Sequence, residues 1–544
     1  MSLLASRTKF PSPWRDSCNF DSCNAVKSAI TNLRRTVTRT AVVIGAGPGG
    51  LASAMLLARR GFRVQVFEKA PRIGGRTAEV TLDPYRFDLG PTFLMMRFLL
   101  DDLFNDAGRK TGDYLDLRAL DPMYRLNFAG KTMLVRSRPS DMREEIERVF
   151  PGEGQGLDRF LAAESIRFRK LYPCLQKQYG SPLAFLHKTL LTALPHIAAG
   201  QSLHNVLSTY FRSEELRLAF TFQSKYLGMS PWDCPGLFAM IPYTEHAHGI
   251  FHVMGGLCRI PEAFAKVAEE EGAEIHTSCG VKRVLVKSGK AYGVELENGE
   301  SVFCDDVVIN ADFGHAMATL FPDVNLGKYS PAALRKRKYS CSTFMLYLGL
   351  DRTYPESEHH TIVFAQDYKR CLEDITKTKV LPGDLSLYVR NAVTLDPSCA
   401  PPGHSALYIL APVPNNTSGI DWEKHRSPFR DSILELLEAR TPYTNIRDHI
   451  RSELVLTPDD WEQQVSVFLG ATFNMGHSWD QMLYFRPHNR FELFDNVYLV
   501  GGGTHPGSGL PTIFESARIS SNLISDKYRI PHPRPTPFAE LGIA

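Results

Sequence analysis

The sequence predicts an α/β fold with a Rossmann-like dinucleotide-binding domain that is assembled from separate stretches of the chain. Three observations support this prediction: an apolar strand and glycine-rich turn at 41–50, alternating strands at 281–309, and a second strand and glycine-rich turn at 497–511. Because most of the 544 residues lie between the two turns, we expect a large α+β insertion within the nucleotide-binding domain.

The first glycine-rich turn has the pattern of a dinucleotide loop. AVVIGA at 41–46 predicts a buried strand, and GLASAMLLARRG predicts a helix that ends at Gly61. Gly45, Gly47 and Gly50 form G-x-G-x-x-G between them. The first glycine permits the tight turn, the second lets the backbone approach a pyrophosphate, and the third lets the helix pack on the strand. The helix N-terminus adds N–H donors and a partial positive charge.

The residues that follow favour FAD over a nicotinamide cofactor. The next strand, RVQVFE, ends in Glu68, whose carboxylate can accept bonds from ribose hydroxyls. KAPRIGGRT then brings Gly75 and Arg76 toward the same dinucleotide, and arginine suits bidentate contact with phosphate. FAD is long and is held along its whole length, so this additional clamp suits it. A surface turn with a solvated arginine is the alternative interpretation.

The second glycine-rich turn is predicted to serve the other end of the cofactor. VYLV at 497–500 predicts the last buried strand, and PTIFESARISSNLI predicts a helix with Pro511 in its first turn. The alternating strands at 281–309 lead into a further helix that begins near Asp312. A helix N-terminus stabilises an anion by about 0.3–1 kcal/mol, which suits the negative charge of a reduced flavin ring.

Composition excludes several classes of protein. The formal net charge is +3, made up of +5 in the first 40 residues and −2 in the rest, so most of the chain is near neutral and no nucleic-acid footprint is expected. Ten cysteines without a C-x-x-C pair argue against a metal site and a disulfide framework. No apolar run reaches eighteen residues, so no spanning helix is expected. We interpret residues 1–39 as a flexible tail, with a transit peptide as the alternative.

Several motifs together resemble one enzyme family. They are GAGPGGLASAMLLARRGF, GGRT, FDLGPTFLMM, YSCSTFMLYLGLD, LAPVP, FRPHNR and GGGTHPGSGLP. In this order, from about residue 40 to residue 530, they resemble the bacterial carotenoid desaturases, which are the phytoene and dehydrosqualene desaturases. The resemblance implies an amine-oxidase-like flavoprotein that uses FAD to introduce double bonds into a linear isoprenoid precursor. The alternatives are a carotenoid isomerase or terminal oxygenase, a non-enzymatic prenyl-lipid escort protein, and an amine oxidase.

The resemblance also implies site residues by position. Those expected to contact FAD are Gly45, Gly47, Gly50, Glu68, Gly75, Arg76, Pro91, Thr92, Val281, Gly503, Thr504 and Pro506. Glu245, in PYTEHAHG, and His505 are the candidates for acid–base catalysis or for stabilising a cation. The expected FAD-binding domain comprises 40–95, 245–312 and 490–530; the substrate domain comprises 96–244 and 313–489; the tails are 1–39 and 531–544.

A long hydrocarbon substrate implies contact with a membrane. Burying roughly 25 carbons is worth on the order of 20 kcal/mol relative to water, so the substrate must pass from a bilayer into an apolar tunnel. We therefore expect a peripheral protein on the cytoplasmic side of a membrane, with a quinone or oxygen as electron acceptor. The segment 183–200 suits an interfacial helix, and 334–340, LRKRKYS, suits anionic lipid. Core packing and a solvated helix end are the respective alternatives.

Overall fold

A computed structural model describes residues 38–537 of the chain. The predicted tail 1–39 lies outside the described residues apart from its last two, and 538–544 of the predicted C-terminal tail also lie outside them. The strands in chain order are β1 (Thr40–Ile44), β2 (Arg63–Phe67), β3 (Glu79–Leu82), β4 (Tyr85–Asp88), β5 (Leu94–Met95), β6 (Leu117–Ala119), β7 (Tyr124–Asn127), β8 (Thr132–Val135), β9 (Ile250–Val253), β10 (Glu274–His276), β11 (Val281–Lys287), β12 (Lys290–Leu296), β13 (Ser301–Phe303), β14 (Asp306–Ile309), β15 (Ser342–Leu350), β16 (His360–Val363), β17 (Leu387–Asn391), β18 (Ser405–Val413), β19 (Ile450–Leu456) and β20 (Val497–Leu499).

The α-helices in chain order are α1 (Pro48–Arg59), α2 (Arg97–Asp106), α3 (Pro139–Val149), α4 (Gly154–Leu175), α5 (Lys188–Ala193), α6 (Leu203–Leu207), α7 (Glu214–Ala219), α8 (Met240–His248), α9 (Arg259–Glu270), α10 (Phe313–Thr319), α11 (Pro331–Leu334), α12 (Tyr368–Glu373), α13 (Trp422–Arg440), α14 (Pro458–Gln463) and α15 (Leu510–Lys527). Short 3₁₀ turns connect several of them. The described residues from Thr40 onward form one unit by their contacts, so the predicted division into two domains stays a prediction.

A five-stranded parallel sheet, in the order β10-β2-β1-β14-β20, combines distant parts of the chain. Ile44 at the end of β1 pairs with Ile309 of β14, and Val307 of β14 pairs with Val497 of β20. Helix α1 contacts both α9 and α15, and its residues from Pro48 to Ala58 are buried. The central strands are apolar along their length because both faces of such a sheet are covered. Assembly from separate segments is thereby confirmed.

The predicted strands between 281 and 309 are present and divide between two sheets. Strands β11, β12 and β13 form an antiparallel sheet, whereas β14 leaves it and joins the parallel sheet. Asp312 then caps helix α10 by accepting a hydrogen bond from the backbone N–H of His315. The helix start predicted at this residue is confirmed.

A seven-stranded sheet, in the order β19-β15-β18-β17-β16-β7-β8, forms the second large layer. Its neighbours are antiparallel except for β16 and β7. All nine residues of β15 are buried because the sheet is covered on both faces. Helix α13 packs on one face, where Phe429 meets Phe344 of β15. The other two sheets are small, with the orders β3-β4 and β5-β9-β6.

The predicted interfacial segment 183–200 is not one continuous helix. It consists of a 3₁₀ turn at Pro182–Leu186, helix α5, and a second 3₁₀ turn at Leu194–His196. His187 breaks the run because its backbone is extended and its ring accepts a hydrogen bond from the N–H of Thr189. Within residues 38–537, no helix combines the length and the apolar character needed to cross a membrane.

The close packing of the first loop predicts that Gly50→Ala is strongly destabilising. A Cβ at this position would lie 2.2 Å from the backbone oxygen of Gly45, which cannot move without displacing the end of β1. We expect a loss of about 3 kcal/mol or more in the free energy of unfolding, despite the better helix propensity of alanine. Thermal unfolding of the purified protein measures it.

Gly112→Ala is the matched control for this change, because a Cβ there would meet nothing within 4 Å. We expect its midpoint of unfolding to stay within a degree or so of the parent protein. Equal stability of the two variants would contradict the packing described for Gly50.

Candidate functional site

A groove runs along the carboxyl edge of the parallel sheet and has a volume of about 490 Å³. Both glycine-rich turns line it: Gly45 and Gly47 from the first, and Gly501, Gly502 and Gly503 from the second. The two turns are far apart in sequence but meet because β1 and β20 flank β14 in the sheet. Ligands of open parallel sheets bind at this edge, so the groove is the candidate cofactor site.

The first turn and Glu68 close one end of the groove. Gly45 has φ +95°, a conformation that favours glycine, and Gly47 is the N-cap of α1. Glu68 lines the groove and accepts hydrogen bonds from the backbone N–H groups of Ala46 at 2.8 Å and Ala70 at 2.9 Å. The carboxylate is therefore fixed beside the loop, and its remaining lone pairs can accept from a ligand's hydroxyl groups.

Val281, which the resemblance implies as an FAD contact, also lines the groove. Gly50 lies under the loop and permits α1 to pack against β1, which is the role predicted for it. Asn310 was not anticipated as a site residue, although it directly follows β14. Its amide Nδ2 donates to the backbone oxygen of Gly45 at 3.2 Å, and it lines the groove between the two glycine-rich turns. The rule that ligands meet the carboxyl ends of parallel strands could have identified it.

Gly75 and Arg76 reach the groove from a 3₁₀ turn after β2. The guanidinium of Arg76 donates to the backbone oxygen of Thr472 at 3.1 Å and lies 3.8 Å from the carboxylate of Asp312. In the amide orientation that satisfies both neighbours, Asn474 accepts from Arg76 at 3.1 Å and donates to Asp312 at 2.7 Å. Arg76 is thus held by protein groups and is not a freely solvated surface residue.

An apolar cavity of about 280 Å³ adjoins the groove. The residues that line both spaces are Arg76, Thr77, Asn474 and Ile513. The apolar lining of the cavity includes Phe93, Met95, Phe222, Met345, Ile362, Leu410, Trp461 and Phe473. Pro91 and Thr92, which the family resemblance implies as FAD contacts, also lie in its wall. The site thus combines a groove that has charged and polar groups in its wall with a cavity that is more strongly apolar.

Tyrosine hydroxyls from the seven-stranded sheet hold the wall segment that contains Pro91 and Thr92. Tyr347 donates to the backbone oxygen of Leu89 at 2.6 Å, and Tyr408 donates to that of Gly90 at 2.7 Å. Tyr388 is hydrogen-bonded to the hydroxyl of Thr92. These contacts fix the segment to three neighbouring strands, so the large sheet shapes the cavity.

Arg486 organises the second glycine-rich turn from below. It is fully buried, and its guanidinium donates to the backbone oxygens of Gly502 at 2.6 Å and Thr504 at 3.1 Å. Further bonds reach the oxygens of Met475 and Gly476. In the sequence this arginine stands out only as part of the motif FRPHNR. Its planar set of donors joins two chain segments, which lysine cannot reproduce.

Glu245 lies outside both the groove and the cavity. It is fully buried on α8, where Oε2 accepts from the hydroxyl of Tyr124 at 2.9 Å and from the amide of Gln223 at 2.8 Å. Burial raises the pKa of Glu245 to about 7, and the Tyr226 hydroxyl acts on it as a further hydrogen-bond partner. Tyr226 itself lines the cavity, so a chemical role for this carboxyl would pass through that hydroxyl.

His505, Thr504 and Pro506 line neither space, because the chain turns inward after Gly503. Thr504 presents its backbone oxygen to Arg486, and the ring of His505 lies edge-on to Tyr179 at 5.0 Å. Burial lowers the pKa of His505 to about 3, so its imidazole is neutral. The catalytic roles expected for Glu245 and His505 stay predictions, and neither side chain lies in the wall of the cavity.

Comparison with known proteins agrees with this geometry. Residues 48–525 match the model of the flavin containing amine oxidoreductases. The chain is 50% identical over 493 residues to the 4,4'-diapophytoene desaturase (4,4'-diapolycopene-forming) of a Methylomonas species, covering 91% of this chain and 96% of that protein. It is 37% identical to the zeta-carotene-forming phytoene desaturase of Myxococcus xanthus, covering 89% of this chain and 93% of that protein. The cyclohexylamine oxidase of Brevibacterium oxydans has the same fold, with a TM-score of 0.56 at 16% identity over 90% of this chain and all of that protein.

The chain therefore belongs to the flavin containing amine oxidoreductases, and the predicted fold class is confirmed. The motif resemblance to carotenoid desaturases is confirmed as well. FAD is the cofactor that this family membership assigns. The groove fits it, because Gly47 presents a helix N-terminus without a side-chain cap, Glu68 has free lone pairs, and Gly503 lies beside Asn474, which also lines the cavity.

The position of Glu68 predicts weaker FAD binding by Glu68→Gln. An amide cannot accept from both Ala46 and Ala70 without turning its NH₂ toward one of these donors. Hydrogen bonds to a charged group contribute about 1.5–3 kcal/mol, so we expect roughly a 10- to 150-fold rise in the Kd for FAD. Calorimetric titration of the apoprotein measures it.

Glu274→Gln on the neighbouring strand β10 is the control, because that exposed carboxylate bonds Gln65 and Arg63 and does not line the groove. Its Kd for FAD is expected to stay within twofold of the parent value. An unchanged Kd in Glu68→Gln would remove this carboxylate from the cofactor site.

Proposed function

We propose that this oxidoreductase is an FAD-dependent desaturase that introduces double bonds into a linear carotenoid precursor, dehydrosqualene (4,4'-diapophytoene) or phytoene. The observation that carries the proposal is the apolar cavity next to the cofactor groove, with Arg76, Thr77, Asn474 and Ile513 common to both. Relatives that match nine-tenths of the chain and are named desaturases of such precursors support it. It is also the function expected from the sequence motifs.

The cavity suits a hydrocarbon because its wall is mainly apolar and offers few polar contacts. Each CH₂ group buried there contributes about 0.8 kcal/mol, and the aromatic walls exclude water from the reacting carbons. The hydroxyls of Tyr388 and Tyr408 at the wall are already bonded to Thr92 and to the backbone of Gly90. The substrate therefore faces mainly carbon.

The chemistry divides between the cofactor and the chain. FAD, when bound, supplies the acceptor for the hydride that desaturation removes. The glycine-rich turns would hold it in the groove that adjoins the cavity, and Gly90, Pro91 and Thr92 in the cavity wall would position the hydrocarbon. Geometry of this kind lowers the barrier by fixing the reacting carbons in position. A quinone or oxygen then re-oxidises the enzyme.

The direct test is conversion of purified precursors by the holoprotein. Liposomes that contain 4,4'-diapophytoene or phytoene are incubated with the protein under a quinone or under oxygen, and products are separated by chromatography. We expect products that have lost two hydrogens per step and absorb at longer wavelength. Recovery of both precursors unchanged from FAD-loaded protein would refute the proposal. Isomerised or oxygenated products without loss of hydrogen would favour the alternative enzymes.

We further propose that the protein works on the cytoplasmic face of a membrane, as a peripheral protein. The segment 182–196 exposes Leu183 by 73% and Leu186 by 68% of their surface. Its Phe185 contacts the ring of Phe485, which is itself 53% exposed. Exposed apolar side chains that cluster in this way indicate a surface for another apolar phase.

The basic run at 335–338 lies next to this apolar surface. Arg337 donates to the backbone oxygen of Phe485 at 3.4 Å, and Lys338 pairs with the exposed Asp480 at 3.3 Å. Arg335 and Lys336 are exposed. The two segments that the sequence suggested separately therefore adjoin one surface, where leucines can enter lipid while cations meet anionic headgroups.

This surface predicts that Leu183→Ser with Leu186→Ser reduces membrane binding. The two leucine side chains no longer move from water into lipid, which removes about 3 kcal/mol or more of binding free energy. This is roughly a 100-fold fall in the partition coefficient. Flotation with anionic liposomes at low and high salt measures it. Phe303→Ser, which changes an equally exposed ring on β13, is the matched control and is expected to float like the parent protein. Equal flotation of all three proteins would contradict the proposed surface.

A further inference from the structure

One amine stands in the wall of the apolar cavity. Lys225 lies in the 3₁₀ turn Phe222–Leu227 and lines the cavity beside Tyr226. Its Nζ donates to the hydroxyl of Ser386 at 2.7 Å and lies 4.9 Å from the centre of the Tyr368 ring. A lysine in the wall of an apolar space is unusual, because its charged form loses hydration there.

No carboxylate compensates this amine among the residues that the structure describes. The groups that face it are the thiols of Cys341 and Cys371, the ring of Tyr368 and the hydroxyl of Ser386. Burial therefore lowers the pKa of Lys225 to about 8. Near pH 7.5, Lys225 is then a neutral amine with a free lone pair in a substantial fraction of the protein molecules, in contrast to an ordinary lysine.

The other titratable side chains in the cavity wall cannot accept a proton. Burial raises the pKa of Tyr226, Tyr388 and Tyr408, which are therefore neutral donors. Arg76 has no acceptor lone pair. Among the described side chains that line the cavity, Lys225 is thus the one that can take up a proton.

We propose that Nζ of Lys225 is the proton acceptor of the desaturation, an inference that rests on the proposed function. One carbon of the substrate loses a hydride, with its electron pair, to the flavin. The C–H bond on the adjacent carbon breaks, its electron pair becomes the new π bond, and the proton forms an N–H bond with Nζ. The substrate loses two hydrogens, the flavin gains two electrons and one hydrogen, and the amine becomes an ammonium. Ser386 and the face of Tyr368 then hold the cation.

Glu245 is the rival acceptor. Its carboxyl is buried behind Tyr226 and does not reach the cavity wall, so a proton would have to pass through the tyrosine hydroxyl. Lys225, in contrast, is itself a residue of the cavity wall. The two candidates are separable because each has its own conservative substitution, Lys225→Met and Glu245→Gln.

The first experiment compares rates of desaturation between pH 6 and 9.5. For the parent protein we expect the rate to rise about tenfold per pH unit below pH 8 and to level above it, because only the neutral amine accepts. In Lys225→Met and Lys225→Arg the rate of desaturation should fall 100-fold or more and should no longer rise with pH below pH 8. Their FAD content and unfolding midpoint should be unchanged. In Lys225→Ala, small primary amines should restore the rate in proportion to their free-base concentration. The proposal would be overturned if Lys225→Met and Lys225→Arg kept a rate within threefold of the parent protein and still showed the rise of rate with pH. It would also be overturned if Glu245→Gln alone abolished this rise.

The second experiment does not depend on turnover. Competitive acetylation of the holoprotein, read by mass spectrometry, should give Lys225 a midpoint of reactivity near pH 8. Lys424, whose pKa the neighbouring Asp421 raises, is the reference and should react only at higher pH. A midpoint for Lys225 at pH 10 or above would overturn the proposal. If the parent protein desaturates neither precursor, the proposed function itself fails. If the parent protein desaturates a precursor and Lys225→Met keeps both the rate and its rise with pH, only the assignment of this amine fails.

Discussion

The site depends on the parallel pairing of β1 with β14, whose residues are separated by about half of the chain. This pairing sets Ile44 beside Ile309, so Gly45 and Asn310 follow at the same edge of the sheet and are joined by a hydrogen bond. Strand β20 pairs on the other side of β14 and adds the second glycine-rich turn. A slip in this register would separate the two turns and remove the groove.

The apolar cavity is fixed by polar contacts behind its wall. Asp88 and Arg390 form a nearly fully buried ion pair at 2.6 Å, and Asp88 also accepts from the backbone of Leu257. Burying such a pair costs several kcal/mol in desolvation, so its hydrogen bonds must be well satisfied. Together with the hydroxyls of Tyr347 and Tyr408, it holds the residues after β4 against the large sheet. Rigid placement of that segment lets a flexible hydrocarbon be presented to the cofactor groove in one position.

The two compartments divide the chemical work by polarity. The groove offers backbone donors and a carboxylate, which suit a charged dinucleotide, and the cavity offers carbon, which suits an isoprenoid. Lys225 departs from that division, because its amine is buried without a carboxylate beside it among the described residues. The exposed leucines and the basic run are close to one another on the surface, which is why we propose that this surface meets lipid.

The sequence by itself determined the glycine-rich turns, the strands beside them, Glu68 and the cofactor class, because these depend on local backbone geometry and on short, spaced patterns. It also indicated the family, since its motifs occur in one order. Only the tertiary structure decided which residues meet: Asn310 between the turns, Arg486 beneath the second one, and Lys225 in the cavity. It also placed Glu245 and His505 away from both spaces. Such placements depend on contacts between residues far apart in the chain, and no local pattern of side chains records them.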